Sequence, residues 1–365
     1  MNNGASSSNP WVQCQQAALD ETFAAARRMS VLPTLWQRAQ RVKKGVSPSE
    51  VVYEEDRLKL IHYLGEGKPR YRTPVVFVYA LVNRPYILDL KKGRSVVASF
   101  VNHGFDTYLV DWGVPTPADR HLTLDDYING YLVNVMDFLR ERTGLNELSV
   151  LGYCMGGTMS AMFAALHPER VRNLILLAAP IDFASNDGLL NLWTRPENFD
   201  VDKFVDAFGN CPPEFLQATF LLLRPVGNLL EKPLNFYERM HEEAFLEDFL
   251  TTETWLNDNI PVPGEVYREF VKYLYQRNLL TQNRMPVGKH IVNLQNIQCP
   301  VLNIMAGKDD LVPCSQGMPF NDLVGSKDRK AILLNGTGHI GLAIGGRAQK
   351  EVWPQACAWL AQRSD

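Results

Sequence analysis

From about residue 70 onward the chain is punctuated by short apolar runs that do not alternate with polar residues. They include Pro74-Val75-Val76-Phe77-Val78-Tyr79, Thr107-Tyr108-Leu109-Val110 within residues 106–111, Leu148-Ser149-Val150-Leu151, Leu174-Ile175-Leu176-Leu177-Ala178, Val301-Leu302-Asn303-Ile304-Met305-Ala306 and Ala331-Ile332-Leu333-Leu334. Runs of this length, bounded by turn residues, predict strands buried on both faces. Residues 95–102 predict a helix stopped by Gly104, and a longer helix is expected from about Leu124 to Thr143. Before this alternation, Val51-Val52-Tyr53 and Leu58-Lys59-Leu60-Ile61-His62-Tyr63 predict a pair of strands, and residues 11–45 an amphipathic helix. Residues 1–10, rich in Asn and Ser, are expected to be disordered, and no internal repeat is visible. Strands alternating with helices predict an α/β fold with a mostly parallel, doubly wound sheet. After Pro180 the pattern changes to helical periodicity with many aromatics and several prolines, up to about residue 292. The expected organisation is therefore an N-terminal tail and helices (1–48), a first core part (49–183), a helical cap insertion (184–292) and a second core part (293–365). An insertion between the sixth and seventh strands can cover a site and keep water from it.

Composition narrows the class. With 365 residues and 46% hydrophobic content the chain can bury a large core. A net charge of -3 gives no electrostatic case for nucleic acid, and the basic stretch at 38–44 reads as a solvated helix face. There is no apolar run of membrane-spanning length, and the polar start does not resemble a secretory signal, so a cytoplasmic protein is expected. The six cysteines lack the spacing of a disulfide framework or a zinc site, and no metal is expected.

One cysteine stands apart. Cys154 lies in Gly152-Tyr153-Cys154-Met155-Gly156, after an apolar strand and before the small-residue run Gly157-Thr158-Met159-Ser160-Ala161. Small residues on both sides of a reactive one suit a sharp strand-to-helix turn, the nucleophile elbow. A thiol exchanging with a thioester loses and gains the same kind of bond, so this elbow points to acyl transfer from a thioester. A buried, inert Cys would satisfy the elbow motif alone. Two later loops add weight: Gly307-Lys308-Asp309-Asp310 follows one predicted strand, and Asn335-Gly336-Thr337-Gly338-His339 follows the last. An acid and a His thus sit at strand ends in the chain order nucleophile, acid, base, which is the order of an α/β-hydrolase.

Several segments together resemble the poly(3-hydroxyalkanoate) synthases. They are residues 152–157, the stretch Val78-Tyr79-Ala80-Leu81-Val82-Asn83-Arg84-Pro85 continuing to Leu90, Val110-Asp111-Trp112-Gly113, and Thr337-Gly338-His339-Ile340-Gly341. The similarity covers roughly residues 50–362, and the chain length is similar to catalytic subunits of the two-subunit classes III and IV. The resemblance implies polymerisation of (R)-3-hydroxyacyl-CoA, with 3-hydroxybutyryl-CoA the expected monomer, and release of CoA through an acyl-Cys intermediate. Cys154 would be the acylated nucleophile, His339 the base and Asp309 the acid. Asp310 stands where many relatives carry His, which leaves the choice between the two neighbouring acids open to a structural test.

The same resemblance implies backbone N–H groups of Met155 and of the loop near Val82 as the oxyanion hole. It aligns Lys272 with a basic position directed at CoA, although a solvated helix Lys fits the sequence equally. No cofactor is implied, since coenzyme A is part of the substrate and a product. Expected partners are the growing polyester chain or granule surface and a second synthase subunit, in a homodimer or a larger hetero-oligomer. The expected location is the cytoplasm, at the surface of polyester granules. Trp255, Tyr267 and Tyr275 are candidates to line an acyl channel, with cap packing the simpler account. Asp111-Trp112 reads as a loop anchor, and the histidines other than His339 as ordinary surface or core residues.

Overall fold

The computed structural model describes residues 10–365, so the expected disorder of the first residues falls, apart from Pro10, outside the described residues. Eight strands form the main sheet: β1 Ser49–Glu55, β2 Leu58–Tyr63, β3 Val75–Val78, β4 Thr107–Asp111, β5 Leu148–Tyr153, β6 Val171–Leu177, β7 Val301–Ala306 and β8 Arg329–Leu334. Their spatial order is β1-β2-β4-β3-β5-β6-β7-β8. β2 runs antiparallel to β1 and β4, and the remaining pairs are parallel. Five of the apolar runs have the cause inferred from the sequence, but Ala331-Ile332-Leu333-Leu334, expected to be buried on both faces, lies at the sheet edge with only Leu334 buried, because no further strand covers it. Every residue of β3, β4, β5 and β7 is buried, as expected of strands covered on both faces, while the edge strands β1 and β8 carry exposed residues.

Helices α1 Pro10–Gln40, α2 Val96–Asn102, α3 Leu132–Thr143 and α4 Met155–Leu166 precede the insertion. The helix expected from Leu124 includes a π-helical stretch, Asp126–Tyr131, which leads directly into α3. Ser95 caps α2 by accepting from the Ala98 N–H, and Gly144, in the left-handed region at φ 73°, ends α3. α4 is buried along almost its whole length, as its run of Gly, Ala, Ser, Thr and Met allows.

Between β6 and β7 lie α5 Leu189–Trp193, α6 Val201–Phe208, α7 Pro213–Leu222, α8 Lys232–Arg239, α9 Glu243–Leu256 and α10 Gly264–Glu269. A π-helical turn, Phe270–Tyr275, continues α10. The helical reading stops there. Met285–Val287 and His290–Val292 pair as a small antiparallel hairpin, turned at Gly288 with φ 57°. Buried Met285 and Val287 alternate along the first strand, Val292 faces Met285 across the pair, and the Gly-containing turn suits a hairpin better than a helix.

The chain divides into two compact units, one combining the chain up to Val42 with Pro225–Thr254, the other Lys43–Arg224 with Trp255–Asp365. In the first, Arg38 of α1 forms a two-pronged hydrogen bond to Glu243 at 2.7 and 2.8 Å. The second holds the sheet and every residue of the site below. Among the described residues no helix is long and apolar enough to cross a membrane.

Candidate active site

β5 ends at Tyr153, and Cys154 turns the chain into α4 with φ 56° and ψ -128°. A positive φ at a non-glycine residue costs of order 1–3 kcal/mol and persists only where its surroundings fix it. Here the Cys154 N–H donates to the Leu177 carbonyl at 2.9 Å, and the Cys154 carbonyl accepts from Gly157 and Thr158. Glycines make the turn possible because there is no room for side chains. A Cβ on Gly152 would lie 2.5 Å from the Gly157 Cα, one on Gly157 would lie 2.5 Å from the Ala179 Cβ, and one on Gly156 would strike the backbone of Val78 and Tyr79.

The loops after β7 and β8 deliver the other two groups. His339 Nδ1 lies 2.7 Å from Asp309 Oδ2, and the Cys154 sulfur is near enough to act on the imidazole. Asp309 Oδ1 accepts from the backbone N–H groups of Leu311 and Val312 at 2.9 and 2.8 Å, so a fully buried carboxylate is bonded at both oxygens. Burial disfavours a charge on His339, but the Asp309 carboxylate and the Cys154 sulfur outweigh it and push the imidazole up to about 10. The neighbouring acid is placed differently. Asp310 is exposed and pairs with Arg224 at 3.3 Å. The geometry therefore pairs His339 with Asp309 and leaves Asp310 outside that pair.

Tyr153 was not singled out from the sequence. Its ring stacks on the imidazole at 5.0 Å and 20°, and its hydroxyl donates to the His339 carbonyl at 3.2 Å. The residue between Gly152 and Cys154 ends a strand on the same edge as His339, but a linear motif carries no trace of that proximity. The remaining cysteines described as buried or half-buried are poor nucleophiles by comparison. Burial pushes the thiols of Cys211, Cys299 and Cys357 up to about 12, and burial with Asp309 nearby raises that of Cys314.

Cys154 opens into a cavity of about 330 Å³ with a predominantly apolar lining. Val82, Met155, Pro180, Leu311 and Val312 line it from the core, and α5, α7, α10 and the π-helical turn supply Trp193, Phe215, Phe220, Tyr267 and Tyr275 among others. Met155 is the first residue of α4, whose N–H has no acceptor within its own helix. Met155 and Val82 both line the cavity into which Cys154 opens. Of the three aromatic candidates, Tyr267 and Tyr275 line the cavity, but Trp255 is buried elsewhere with its indole N–H donating to the Arg84 carbonyl. Lys272 is also not brought to the cavity lining: its ammonium lies 2.7 Å from Asp202 on α6. Asp202 takes Arg268 as well, at 2.7 Å, so this basic pair is turned toward a structural partner. Among the described residues no group of three or more His, Cys, Asp or Glu side chains could hold a metal ion.

Two families match the chain: the α/β hydrolase fold over residues 73–344, and the poly-beta-hydroxybutyrate polymerase N-terminus over residues 39–100. The chain is 43% identical to the poly(3-hydroxyalkanoate) polymerase subunit PhaC of Haloferax mediterranei, across 97% of this chain and 70% of the relative. It is 42% identical to the PhaC subunit of Allochromatium vinosum, across 89% of this chain and 91% of the relative. The chain belongs to the PhaC polymerase family. Its fold is that of the α/β hydrolases, and solved structures agree. BpoC of Mycobacterium tuberculosis H37Rv superimposes with a TM-score of 0.54 at 15% identity, covering 87% of this chain and all of its own. One solved chain described with the metagenome-derived lipolytic enzymes LipS and LipT gives a TM-score of 0.50 at 14% identity over 83% of this chain and 97% of the neighbour. Membership in the PhaC family makes the protein an acyl-transferring polymerase. The substrate class that the family name carries is a 3-hydroxyalkanoate.

Proposed function

We propose that this enzyme polymerises (R)-3-hydroxyacyl-CoA, with 3-hydroxybutyryl-CoA its monomer, through an acyl chain held on Cys154. The observation that carries the reading is the Asp309–His339 pair near Cys154, which opens into an apolar cavity. In the proposed cycle His339 first takes the Cys154 proton, since the Asp309 carboxylate and the sulfur favour the charged imidazole. The thiolate attacks the thioester carbonyl, the carbon–sulfur bond to CoA breaks, and His339 gives its proton to the departing CoA thiolate. His339, now neutral, takes the proton of a 3-hydroxyl as that oxygen attacks the acyl-Cys carbonyl. The Cys154 thiolate leaves and the ion pair is restored, so one ester bond replaces one thioester bond per cycle.

Asp309 keeps the imidazole in one tautomer and stabilises its charged form. The N–H groups of Met155 and Val82 are the proposed oxyanion donors, each worth about 3 kcal/mol of barrier by analogy with other acyl-transfer sites. An apolar cavity suits this chemistry because water competes with the 3-hydroxyl for the acyl group. Placement on polyester granules in the cytoplasm, and assembly with a second subunit, belong to the same proposal and are supported by the relatives' description as polymerase subunits. The test supplies labelled 3-hydroxybutyryl-CoA and follows CoA release, protein-bound label and insoluble polyester. Wild type should form polyester, and label should be lost from protein in Cys154→Ala. Release of free acid in place of polymer would assign the site to hydrolysis.

A further inference from the structure

Four residues that line the cavity carry a hydroxyl: Thr194, Thr219, Tyr267 and Tyr275. Three of these are already committed. Thr194 donates to the Leu190 carbonyl at 2.6 Å, Thr219 to the Phe215 carbonyl at 2.8 Å, and the Tyr267 hydroxyl faces the Cys211 thiol. The Tyr275 hydroxyl has no hydrogen-bond partner among the described residues, yet lies close enough to Cys154 for the two to interact electrostatically. Burial, with the Cys154 sulfur adding to it, raises the phenol and keeps it protonated, hence a donor.

The backbone explains how it comes to be there. Residues five apart fall on different faces of an α-helix, but the i→i+5 bonding of the turn Phe270–Tyr275 brings Phe270 and Tyr275 toward one face. The Tyr275 ring packs edge-on against Phe183 at 4.8 Å, and the next residue, Gln276, donates to the Thr194 and Phe199 carbonyls at 3.0 Å each. A π-helical turn, an aromatic clamp and an amide tie thus hold one unspent O–H in an apolar cavity beside the nucleophile.

We propose that Tyr275 is the residue that recognises the 3-oxygen of the acyl group, donating a hydrogen bond to it while the carbonyl sits on Cys154. The inference rests on the acyl-Cys154 reading above. A donor suits both forms of that oxygen, since it is a hydroxyl in the monomer and an ester oxygen in the chain, and both accept. A lone hydroxyl in an apolar site discriminates in favour of substrates that can use it.

The test compares Cys154 acylation by 3-hydroxybutyryl-CoA and by butyryl-CoA, measured as kcat/KM for protein-bound label. Wild type should prefer the 3-hydroxy substrate by about tenfold or more, the scale of one buried hydrogen bond and the orientation it fixes. Tyr275→Phe, which keeps the ring, should bring this ratio near one by slowing only the 3-hydroxy substrate, with an unchanged unfolding temperature. Tyr267→Phe, which removes the hydroxyl facing Cys211, should keep the wild-type ratio. A Tyr275→Phe enzyme with the wild-type ratio overturns the assignment, as does an equal collapse in Tyr267→Phe. Wild type that acquires no label at Cys154 from either substrate overturns the parent reading and this one with it, and is distinguished because the unaltered enzyme already fails.

Discussion

The groups that line the cavity from the core and those that line it from the insertion are held in place by different forces. On the core side polar bonds fix single atoms: Asp309 is bonded at both oxygens, Tyr153 ties down the His339 carbonyl, and Cys154 is anchored to Leu177. On the insertion side aromatic contacts dominate, as in the set Phe199, Phe204, Phe215 and Tyr267, whose rings meet at 4.7 to 6.4 Å. Hydrogen bonds are directional and specify a position to a fraction of an ångström, whereas apolar contacts specify volume and tolerate repacking. The core side therefore fixes positions and the insertion side a volume.

The largest effect should come from deleting the atom at the centre of the core side. Cys154→Ala should eliminate CoA release while the unfolding temperature stays within a few degrees, because Ala fits the elbow. Retained turnover, or label found on Cys211, Cys299, Cys314 or Cys357, would break the comparison at its core.

Asp309→Asn comes next. It should slow chain extension by about 10²–10⁴-fold, the range for losing the partner that orients a catalytic imidazole. Acylation should suffer less, since a thiol is more acidic than a hydroxyl. Asp310→Asn, which breaks only an exposed pair with Arg224, should stay within about twofold of wild type. Single-turnover labelling followed by polymer assay separates the steps, and equal losses in both mutants would refute the distinction drawn between the two acids.

The third prediction concerns pH. The His339 imidazole is raised in the folded state above its ordinary value near 6.5, so its contribution to stability is complete below about 6.5 and is lost as pH rises toward about 10. The stability advantage of wild type over Asp309→Asn, measured by denaturant unfolding, should accordingly shrink between these limits. An advantage that grows with pH would contradict the charged pair.

Changes on the insertion side should be milder. Phe215→Ala should leave Cys154 acylation by 3-hydroxybutyryl-CoA within about tenfold while improving relative use of longer acyl thioesters, as expected when a lining side chain is truncated. Acylation rates across a series of chain lengths measure this, and loss of acylation for every length would show that the insertion also sets the reacting geometry. The smallest effect is expected for Lys272→Ala. Its ammonium is matched by Asp202, which keeps Arg268, so KM for the CoA thioester should change less than about threefold.

Much of the core was legible in the sequence because its determinants are local. Buried parallel strands announce themselves as unbroken apolar runs, and an elbow needs glycines at fixed offsets from Cys154. The loop order gave Asp309 and His339 as well. What escaped detection depends on residues distant in the chain. Lys272 is neutralised by a residue 70 positions away, Trp255 is claimed by the Arg84 carbonyl, and Tyr153 acquires its place only when His339 folds over it. The hairpin at 285–292 and the π-helical turn at Phe270–Tyr275 were read as plain helix, since a few residues of altered hydrogen bonding barely disturb the apolar periodicity.

The glycines of the elbow have a consequence for how such a chain can change over generations. Any side chain at 152, 156 or 157 collides at once with backbone or with Ala179. For a lineage that accumulates single substitutions, every path through these three positions ends in a misfolded elbow, whereas paths through the aromatic lining remain passable. New monomer preferences should accordingly be acquired by drift in the insertion, with the chemistry inherited intact.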